Sequence, residues 1–520
     1  MMEKKSIYPV RLGSTRARWL MAATILASAM AFIDSTALNV VLPTIQNKLE
    51  ASGTDLFWIL NAYLLMLASL ILIGGSLGDQ LGRKKVFIIG ILIFIAGSAA
   101  CGFATNVHLL IGFRTLQGIG GAFMIPGSLS LITSSINQKD RGKAIGTWSA
   151  ATTMVTIGGP LLGGALADAG LWRYIFFINV PIGIISILIL SFQVEEVKEH
   201  GVENKIDFWG AIAIALGLAL LTFGFLRTSH FDFKNLQVLV SLIAGLIFLI
   251  AFIIIEKRSK NPMMPLQLFF NSKFSGANLL TFFLYAGLGG GMLFLSLNLI
   301  QVQGYSQFQS GLSFLPFTIL MVGVARSAGS LADKYGSRIF LITGPFTSGI
   351  GLLLLSFVQQ TKGPSEYWTT YFPGILVFGL GMSFTVAPLT ATVMGTVKTH
   401  FSGTASGINN AVTRISNVFA NAVFGALAIL FFSAALQTEL NNLSLTPTEK
   451  QLVLNEAVNL GNAQVPSAVS SNKMIIENYY HQSFISSYKK IMRISAGLAF
   501  AGALMSFLFI RDVKKHDPSK

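Results

Sequence analysis

The chain has 520 residues, of which 52% are hydrophobic and only 11% are charged. Soluble domains carry about 25% charged residues, so this composition excludes an ordinary water-soluble protein and indicates a protein of the lipid bilayer. A net charge of +15 on a soluble chain would favour a nucleic-acid partner. In a bilayer protein the placement of the basic residues matters more than their sum. We therefore expect the lipid bilayer as a partner and no nucleic acid.

Residues 1–18 form a basic tail that precedes an apolar run from Trp19 to Leu42. This run is too long for the core of a signal peptide and is not followed by an obvious small-residue cleavage site. It predicts an uncleaved first transmembrane helix.

A helix needs about 20 apolar residues to cross the hydrocarbon core of a bilayer. By this measure the sequence predicts fourteen spans, at 19–41, 56–77, 86–105, 107–134, 144–167, 174–193, 208–226, 236–255, 274–300, 311–332, 339–358, 371–396, 404–434 and 491–510. Core helices of a soluble protein are the alternative, which so many long runs almost free of charge disfavour. We predict an all-α integral membrane protein.

The basic residues indicate the orientation of these spans. Most of the 37 Lys and Arg fall in the tails and loops on the side of the N-terminus. Because loops rich in Lys and Arg stay in the cytoplasm, both termini are expected there, in a multi-pass protein of the cytoplasmic (inner) membrane.

A short charged turn occurs twice and divides the chain into two halves. Gly-Ser-Leu-Gly-Asp-Gln-Leu-Gly-Arg-Lys-Lys spans Gly75–Lys85, and Gly-Ser-Leu-Ala-Asp-Lys-Tyr-Gly-Ser-Arg spans Gly329–Arg338. The predicted parts are a tail at 1–18, a six-helix bundle at 19–193, a linker with two extra helices at 194–260, a second six-helix bundle at 261–510 and a tail at 511–520. The second bundle contains a long outer loop at 437–488. In it, Thr446-Pro-Thr-Glu449 is a helix-capping pattern that predicts a short helix or hairpin, with a flexible loop as the alternative.

No constellation in the sequence indicates catalysis. Gly142-Lys143 lacks the rest of a phosphate-binding loop, and no nucleophile accompanies a base. The single Cys101 cannot form a disulfide within the chain, and a metal-binding Cys/His cluster is absent from the sequence. Glycine clusters such as Gly118-Ile-Gly120-Gly121 are typical of closely packed membrane helices. We expect no enzyme, no cofactor and no metal site, and transport driven by something other than bound ATP.

Asp34 is the one acid among 22 that lies about halfway along a predicted span. An ionisable group at this depth is expensive and is therefore a functional candidate. Burial disfavours its charged form and a nearby cation favours it, so Asp34 is suited to gain and lose a proton. Arg114 is the expected partner, with Gln117 on the same face of the fourth span. A purely structural carboxylate, neutralised by a fixed arginine, is the alternative.

The fifth span contains Gly158-Gly159-Pro160. Proline weakens a helix locally and glycine lets a neighbour approach closely. We interpret Gly159 and Pro160 as a bending point between conformations, with a passive kink as the alternative.

The sequence resembles the major facilitator superfamily, and in particular its fourteen-helix drug:proton antiporter family. Gly75–Lys85 matches the superfamily signature between the second and third helices. Ile33–Pro43 and Arg114–Ala122 resemble the first-helix and fourth-helix motifs, Gly159-Pro160 resembles the antiporter motif, and Trp172–Gly183 is also similar to the family. The resemblance covers most of residues 19–434.

The resemblance implies two six-helix bundles around a central cavity, which substrate and proton use in turn as the bundles rock. It implies that Asp34 carries the proton and that Arg114 modulates it. It also implies gate and hinge positions at Gly75, Asp79, Gly82, Arg83, Gly159, Pro160, Gly329, Asp333, Gly336 and Arg338. Val155 stands where the antiporter motif has a glycine, and the second turn ends in Ser337-Arg338, so we expect a weaker latch there.

Eight side chains are candidates for lining the cavity, and packing or lipid contact is the alternative for each. They are Asn39, Trp58, Tyr63, Gln117, Trp148, Tyr285, Asn409 and Arg414. The later spans offer Arg326 and Arg414 rather than further acids. Their charge favours neutral, amphipathic or anionic substrates over dications, unless Arg326 lies at the cytoplasmic rim.

We expect a proton-coupled exporter of small amphipathic compounds. A dedicated exporter of one endogenous metabolite, such as a siderophore or a lipid-like product, is the nearest alternative. A membrane receptor or assembly factor without transport is a third. A periplasmic or outer-membrane export partner is a further expectation.

Overall fold

A computed structural model of the chain describes residues 9–196, 207–228, 234–260, 262–397 and 402–511. The side chains of Asp79, Arg326 and Asp333 lie outside this description, so the roles expected of them stay predictions.

Every regular element in this part of the chain is helical, as predicted. The α-helices are α1 (Thr15–Lys48), α2 (Gly53–Leu81), α3 (Arg83–Phe103), α4 (Val107–Ser135), α5 (Arg141–Asp168), α6 (Tyr174–Phe177), α7 (Asn179–Gln193), α8 (Phe208–Arg227), α9 (Leu236–Arg258), α10 (Ser272–Gln301), α11 (Gln307–Ser313), α12 (Leu315–Tyr335), α13 (Ser337–Leu355), α14 (Tyr367–Gly395), α15 (Ser402–Leu440), α16 (Pro447–Asn455) and α17 (Lys473–Phe509). Short 3-10 helices occur at Leu266–Phe270, Pro364–Glu366, Glu456–Asn462 and Ser467–Asn472.

Among the described residues, 14 helical segments are long and apolar enough to cross a membrane, which confirms the predicted number. The pairs α6/α7 and α11/α12 each make one span with a bend, and α16 is too short to be one. The α-helical membrane fold follows because a helix satisfies all its own backbone hydrogen bonds where no water is present.

The helices form two groups. Helices α1 to α7 pack together as the first bundle, and α10 to α15 pack with α17 as the second bundle. Helix α8 packs on α9 and also against α2 and α15. Helix α8 therefore lies beside the seam where the two bundles meet. The predicted limits of the linker, 194 and 260, adjoin residues 197–206 and 261, which lie outside the described residues.

Glycines set the spacing of helices in the first bundle. A Cβ at Gly118 would collide with the carbonyl oxygen of Tyr63, and a Cβ at Gly120 would collide with the backbone nitrogen of Phe94. Helix α4 therefore lies in backbone contact with both α2 and α3, as expected for glycines in membrane helices.

Helices enter the predicted outer loop at 437–488 from both ends. Helix α15 continues to Leu440 and α17 begins at Lys473, so the connection is residues 441–472, here called the cap. The first turns of α17 are apolar on one face only, so their mean hydropathy does not identify them as part of a membrane span. Ile476 and Tyr480 on that face are buried.

Within the cap, the capping pattern at Thr446 starts a helix, as predicted. The Thr446 hydroxyl accepts from the backbone N–H of Glu449, and the Glu449 carboxylate accepts from the backbone N–H and the hydroxyl of Thr446 at 2.8 Å each. These hydrogen bonds lower the pKa of Glu449 below its usual value. Behind the helix, Val453 and Leu460 are buried, so the cap is a packed element rather than an open loop.

Hydrogen bonds join the two bundles on the face opposite to the chain termini, here called the far face. The Asp168 carboxylate, at the end of α5, accepts from the backbone N–H groups of Gln307 and Phe308 at 3.0 Å each. The Gln307 side chain also donates to Thr44 of α1. A Cβ at Gly164 would collide with the backbone of Gln307, so α5 and α11 are in close contact here.

The cap adds contacts of its own on the far face. Gln46 of α1 donates to the carbonyl of Asn459 at 3.3 Å and accepts from Gln301 of α10 at 2.9 Å. Asn462 donates to the side chain of Asn47 at 2.5 Å. The cap thus holds the first bundle against the second, and the far face is closed.

Candidate functional site

Asp34 of α1 and Arg114 of α4 form an ion pair inside the first bundle. Arg114 Nη1 lies 2.5 Å from Asp34 Oδ2, and both side chains are only 1% exposed. Gln117 Nε2 donates to Asp34 Oδ1 at 2.9 Å, so both carboxylate oxygens are occupied. Arg114 Nη1 also donates to Gln117 Oε1 at 2.7 Å. The expected pairing and the position of Gln117 on the same face of α4 are confirmed.

The guanidinium of Arg114 is held by α2 as well. Its Nε donates to the carbonyl of Ile59 at 3.2 Å, and its central carbon lies 4.4 Å from the centre of the Tyr63 ring. A cation over an aromatic face is attracted by the ring's electrons. Because a buried ion pair is tolerated only when its remaining hydrogen-bonding groups are satisfied, these contacts fix the orientation of Arg114.

Tyr63 connects this cluster to the seam between the bundles. It is fully buried, and its hydroxyl has no hydrogen-bond partner among the described residues. The nearby Ser35 hydroxyl donates to the carbonyl of Ala31 at 2.8 Å. Helix α15, which carries Arg414, packs against α2 and α10, and the Tyr63 hydroxyl of α2 and the Tyr285 hydroxyl of α10 are close enough for its charge to act on them. Three predicted cavity residues, Tyr63, Tyr285 and Arg414, therefore lie near one another.

Asn39 lies at the seam near the far face. Its side chain is partly exposed, and its carbonyl accepts from the Ser296 hydroxyl of α10 at 3.4 Å. This position is compatible with the predicted place at the cavity.

Three other cavity candidates make packing contacts, the alternative given for each of them, and their place in the cavity stays a prediction. The Trp148 ring nitrogen donates to Ser28 inside the first bundle at 3.1 Å. The Trp58 ring lies 6.4 Å from that of Phe223 on α8. Asn409 donates to Thr281 of α10 at 2.7 Å. Helices that are apolar on all sides give no periodic signal for the direction of a side chain, so the sequence did not predict these contacts.

The turn at Gly82 is built around a residue that the sequence analysis placed only in the linker. Gly82 has φ +108°, which favours glycine, and it precedes α3. The Glu196 carboxylate accepts from the backbone N–H groups of Lys84 at 2.9 Å and Lys85 at 3.0 Å. A carboxylate suits the positive end of a helix. Glu196 thus caps the start of α3.

The remaining gate residues lie at the same face as the chain termini. Arg83 donates to the carbonyl of Ser130 at 3.5 Å. In the second half, Gly336 has φ +92° and Arg338 donates to the carbonyl of Phe507 at 3.2 Å. Gly75 and Gly329 lie within α2 and α12, the helices that lead into the two turns.

The expected hinge lies between the two bundles. A Cβ at Gly159 would collide with the Thr36 hydroxyl of α1, and a Cβ at Gly311 of α11 would come within 2.6 Å of the Pro160 carbonyl oxygen. Helix α5 therefore touches α1 of its own bundle and α11 of the other bundle at the residues where proline removes a helical hydrogen bond.

Asn61 is a buried polar residue that the sequence analysis did not select. It lies on α2, is fully buried, and neither atom of its amide has a partner among the described residues. The sequence contains a feature that could have indicated this residue, because Asn61 is the only amide side chain in the predicted span 56–77. Among the described residues no group of three His, Cys, Asp or Glu side chains is suited to hold a metal ion.

Two helical bundles with a buried charge cluster beside their seam define a multi-pass membrane transporter. The family model "Major Facilitator Superfamily" matches residues 24–421, and the chain belongs to this superfamily. Its members are transporters rather than enzymes, which confirms both the predicted family and the prediction that the protein is not an enzyme.

Several curated relatives are named as drug-resistance proteins. The chain is 29% identical to "Multidrug resistance protein Stp" of Mycobacterium tuberculosis (strain CDC 1551 / Oshkosh), over 83% of this chain and 79% of that protein. It is 31% identical to "Multidrug transporter protein MdtP" of Bacillus subtilis (strain 168), over 78% of this chain and 74% of that protein. It is 28% identical to "Tetracenomycin C resistance and export protein" of Streptomyces glaucescens, over 76% of this chain and 73% of that protein.

Solved structures share the fold. A bacterial homologue of the human lysosomal transporter Spinster superposes with a TM-score of 0.64 at 17% identity, over 96% of this chain and 100% of that chain. A D-xylose–proton symporter superposes with a TM-score of 0.60 at 14% identity, over 96% of this chain and 99% of that chain. At such identities the likeness establishes the fold alone.

Proposed function

We propose that this protein is a proton-coupled antiporter that exports small amphipathic compounds across the cytoplasmic membrane by alternating access, with both termini in the cytoplasm. The observation that carries the proposal is the cluster of Asp34, Arg114 and Gln117. It places an acid at membrane depth in contact with a fixed cation and an amide. The drug-resistance relatives support export as the direction of transport.

In this proposal Asp34 is the proton carrier. A proton on Asp34 removes the charge that holds Arg114, and Arg114 itself stays protonated at physiological pH. Loss of the ion pair frees the guanidinium to rearrange against Tyr63 and the Ile59 carbonyl. Since Tyr63 lies beside the seam, a change at Asp34 is passed to the surface where the bundles meet.

The hinge and the far-face contacts supply the conformational step. The far face is closed by Asp168, Gln307 and the cap. In this proposal the state with a closed far face is the one that exchanges substrate on the side of the chain termini. Release of the proton to the cytoplasm and its uptake from outside would then alternate with substrate. Bending of α5 at Pro160 accommodates the change in contact with α11.

Everted membrane vesicles test the coupling. Asp34→Asn is expected to abolish uptake of a fluorescent amphipathic drug driven by an imposed pH gradient, while Glu477→Gln is expected to transport normally. Glu477 is a matched control because it is an exposed acid whose ion pair is with Lys473 on its own helix. Full-rate uptake by Asp34→Asn would exclude Asp34 as the coupling group.

The breadth of substrates decides between multidrug export and a dedicated exporter. Growth of cells with and without the protein, in a panel of unrelated toxic compounds, measures it. Protection against several compounds supports the proposal, whereas protection against none supports a dedicated metabolite exporter. An export partner in the periplasm or outer membrane would be recovered by cross-linking to the cap.

A further inference from the structure

Arg414 is a cation at membrane depth that has no partner in the described part of the chain. It lies on α15, one of the helices at the seam, and is half-buried. It makes no hydrogen bond or ion pair with any described residue, in contrast to Arg114, which contacts a carboxylate, an amide oxygen, a carbonyl and an aromatic ring. An unpaired cation in a membrane is costly, so a missing partner calls for an explanation.

The groups around Arg414 do not neutralise it. Tyr63 of the first bundle and Tyr285 of the second lie on α2 and α10, the helices that pack against α15, and both are close enough to act on its charge. Asp34 is not available as a counter-ion, because Arg114 and Gln117 already occupy both of its carboxylate oxygens. Arg414 therefore lies near two phenols and makes no ion pair with a described acid.

These groups together form a site for an anion. The guanidinium offers a planar set of donors that matches a carboxylate, and the Tyr63 hydroxyl, fully buried and without a partner, can donate one more hydrogen bond. The two tyrosine rings supply apolar surface beside the charge. The site lies between α2, α10 and α15, at the seam that opens and closes in alternating access.

We propose that Arg414 binds the carboxylate of an amphipathic anionic substrate, with the Tyr63 hydroxyl as a second donor. The inference rests on the proposed export function and names its substrate class. A carboxylate leaving the cell would also move in the direction that a negative-inside membrane potential favours.

Two probes that differ by one charge test the site. Dansyl-phenylalanine and its uncharged amide are titrated against the purified protein in detergent, and dansyl fluorescence reports binding. The acid is expected to bind wild type about 10- to 100-fold more tightly than the amide, which is the range for a hydrogen bond to a charged group. Equal affinities for acid and amide, or no binding of the acid, would overturn the proposal.

Variants assign the preference to Arg414. Arg414→Gln is expected to lose the preference for the acid while binding the amide as wild type does. Tyr63→Phe is expected to lower the affinity for the acid by several-fold and to leave the affinity for the amide unchanged. Arg493→Gln is the matched control, because Arg493 is an exposed arginine on another membrane helix, α17. Wild-type affinity of Arg414→Gln for the acid would overturn the assignment. If Arg414→Gln does not fold, Arg414→Lys and Tyr63→Phe carry the same test.

Two further measurements distinguish a substrate site from a lipid-headgroup site, and the anion site from the proposed transport function. Displacement of the acid by phosphatidylglycerol, but not by phosphatidylcholine, would reassign the site to a lipid headgroup and overturn the substrate assignment. Binding in detergent needs no proton gradient. Acid-selective binding without proton-driven transport in vesicles would therefore refute the proposed function and leave the anion site standing.

Discussion

The central carbon of the Arg114 guanidinium lies 4.4 Å from the centre of the Tyr63 ring, while the hydroxyl of the same tyrosine lies in electrostatic range of Arg414. One side chain thus contacts the ion pair of the first bundle and lies near the cation at the seam. Binding at the seam and protonation of Asp34 would in this way act on the same phenol group.

Removal of Arg114 should destabilise the protein more than removal of the whole ion pair. Arg114→Gln leaves the Asp34 carboxylate buried without its cation, which typically costs about 3–5 kcal/mol. The double variant Asp34→Asn/Arg114→Gln removes both charges and should recover a large part of that loss. Thermal unfolding in detergent measures the difference. A double variant no more stable than Arg114→Gln would show that the charge of Asp34 is not what destabilises the single variant.

Asp168 should hold the far face closed. Asp168→Ala removes two hydrogen bonds to the backbone of α11, each involving a charged acceptor and worth about 1.5–3 kcal/mol. The population opened at the far face should rise about tenfold or more. A cysteine at Ser296, in a Cys101→Ser background, reports this through its rate of labelling by a membrane-impermeant maleimide.

The control for this measurement is Asp55→Ala. Asp55 is also an acid at the far face, but it caps α2 through Ser52 within its own bundle. Asp55→Ala should leave the rate of labelling at position 296 unchanged. Equal labelling rates in Asp168→Ala and Asp55→Ala would mean that Asp168 does not contribute to closure.

Gly82→Ala should disturb the charged turn far more than Gly75→Ala. At Gly82 the backbone has φ +108°, and a Cβ would come within 3.0 Å of the Glu196 carboxylate. A side chain in such a conformation costs about 1–3 kcal/mol. At Gly75 nothing lies within 4 Å of a Cβ, and alanine is favourable within a helix. Melting temperatures compare the two, and an equal effect would show that the turn tolerates a side chain.

Gly120→Val should prevent the first bundle from assembling. The added side chain would collide with the backbone of Phe94, which cannot move aside as a flexible side chain does. The yield of monodisperse protein in gel filtration should fall strongly. Gly112→Val on the same helix meets nothing within 4 Å of its Cβ and should be produced normally. Normal yield of Gly120→Val would contradict the close packing of α3 and α4.

The sequence by itself determined the number of spans, the repeated turn and the depth of Asp34, because the thickness of the bilayer fixes how long an apolar run must be. It also led to Arg114 and Gln117, since a lone acid in a span needs a cation and three residues separate neighbours on one helix face. The start of the cap helix at Thr446 followed from local capping chemistry.

Only the tertiary structure decided which side chains meet across helices. Glu196 caps α3 although more than 100 residues separate them in the chain, and α17 begins 18 residues earlier than its hydrophobic run because the cap covers its apolar face. Asn409 and Trp148 bond within their own bundles, while Arg414 is left at the seam beside two phenols. Membrane helices are apolar on nearly all sides, so their sequences do not specify which face turns inward. Packing against neighbouring helices makes that choice.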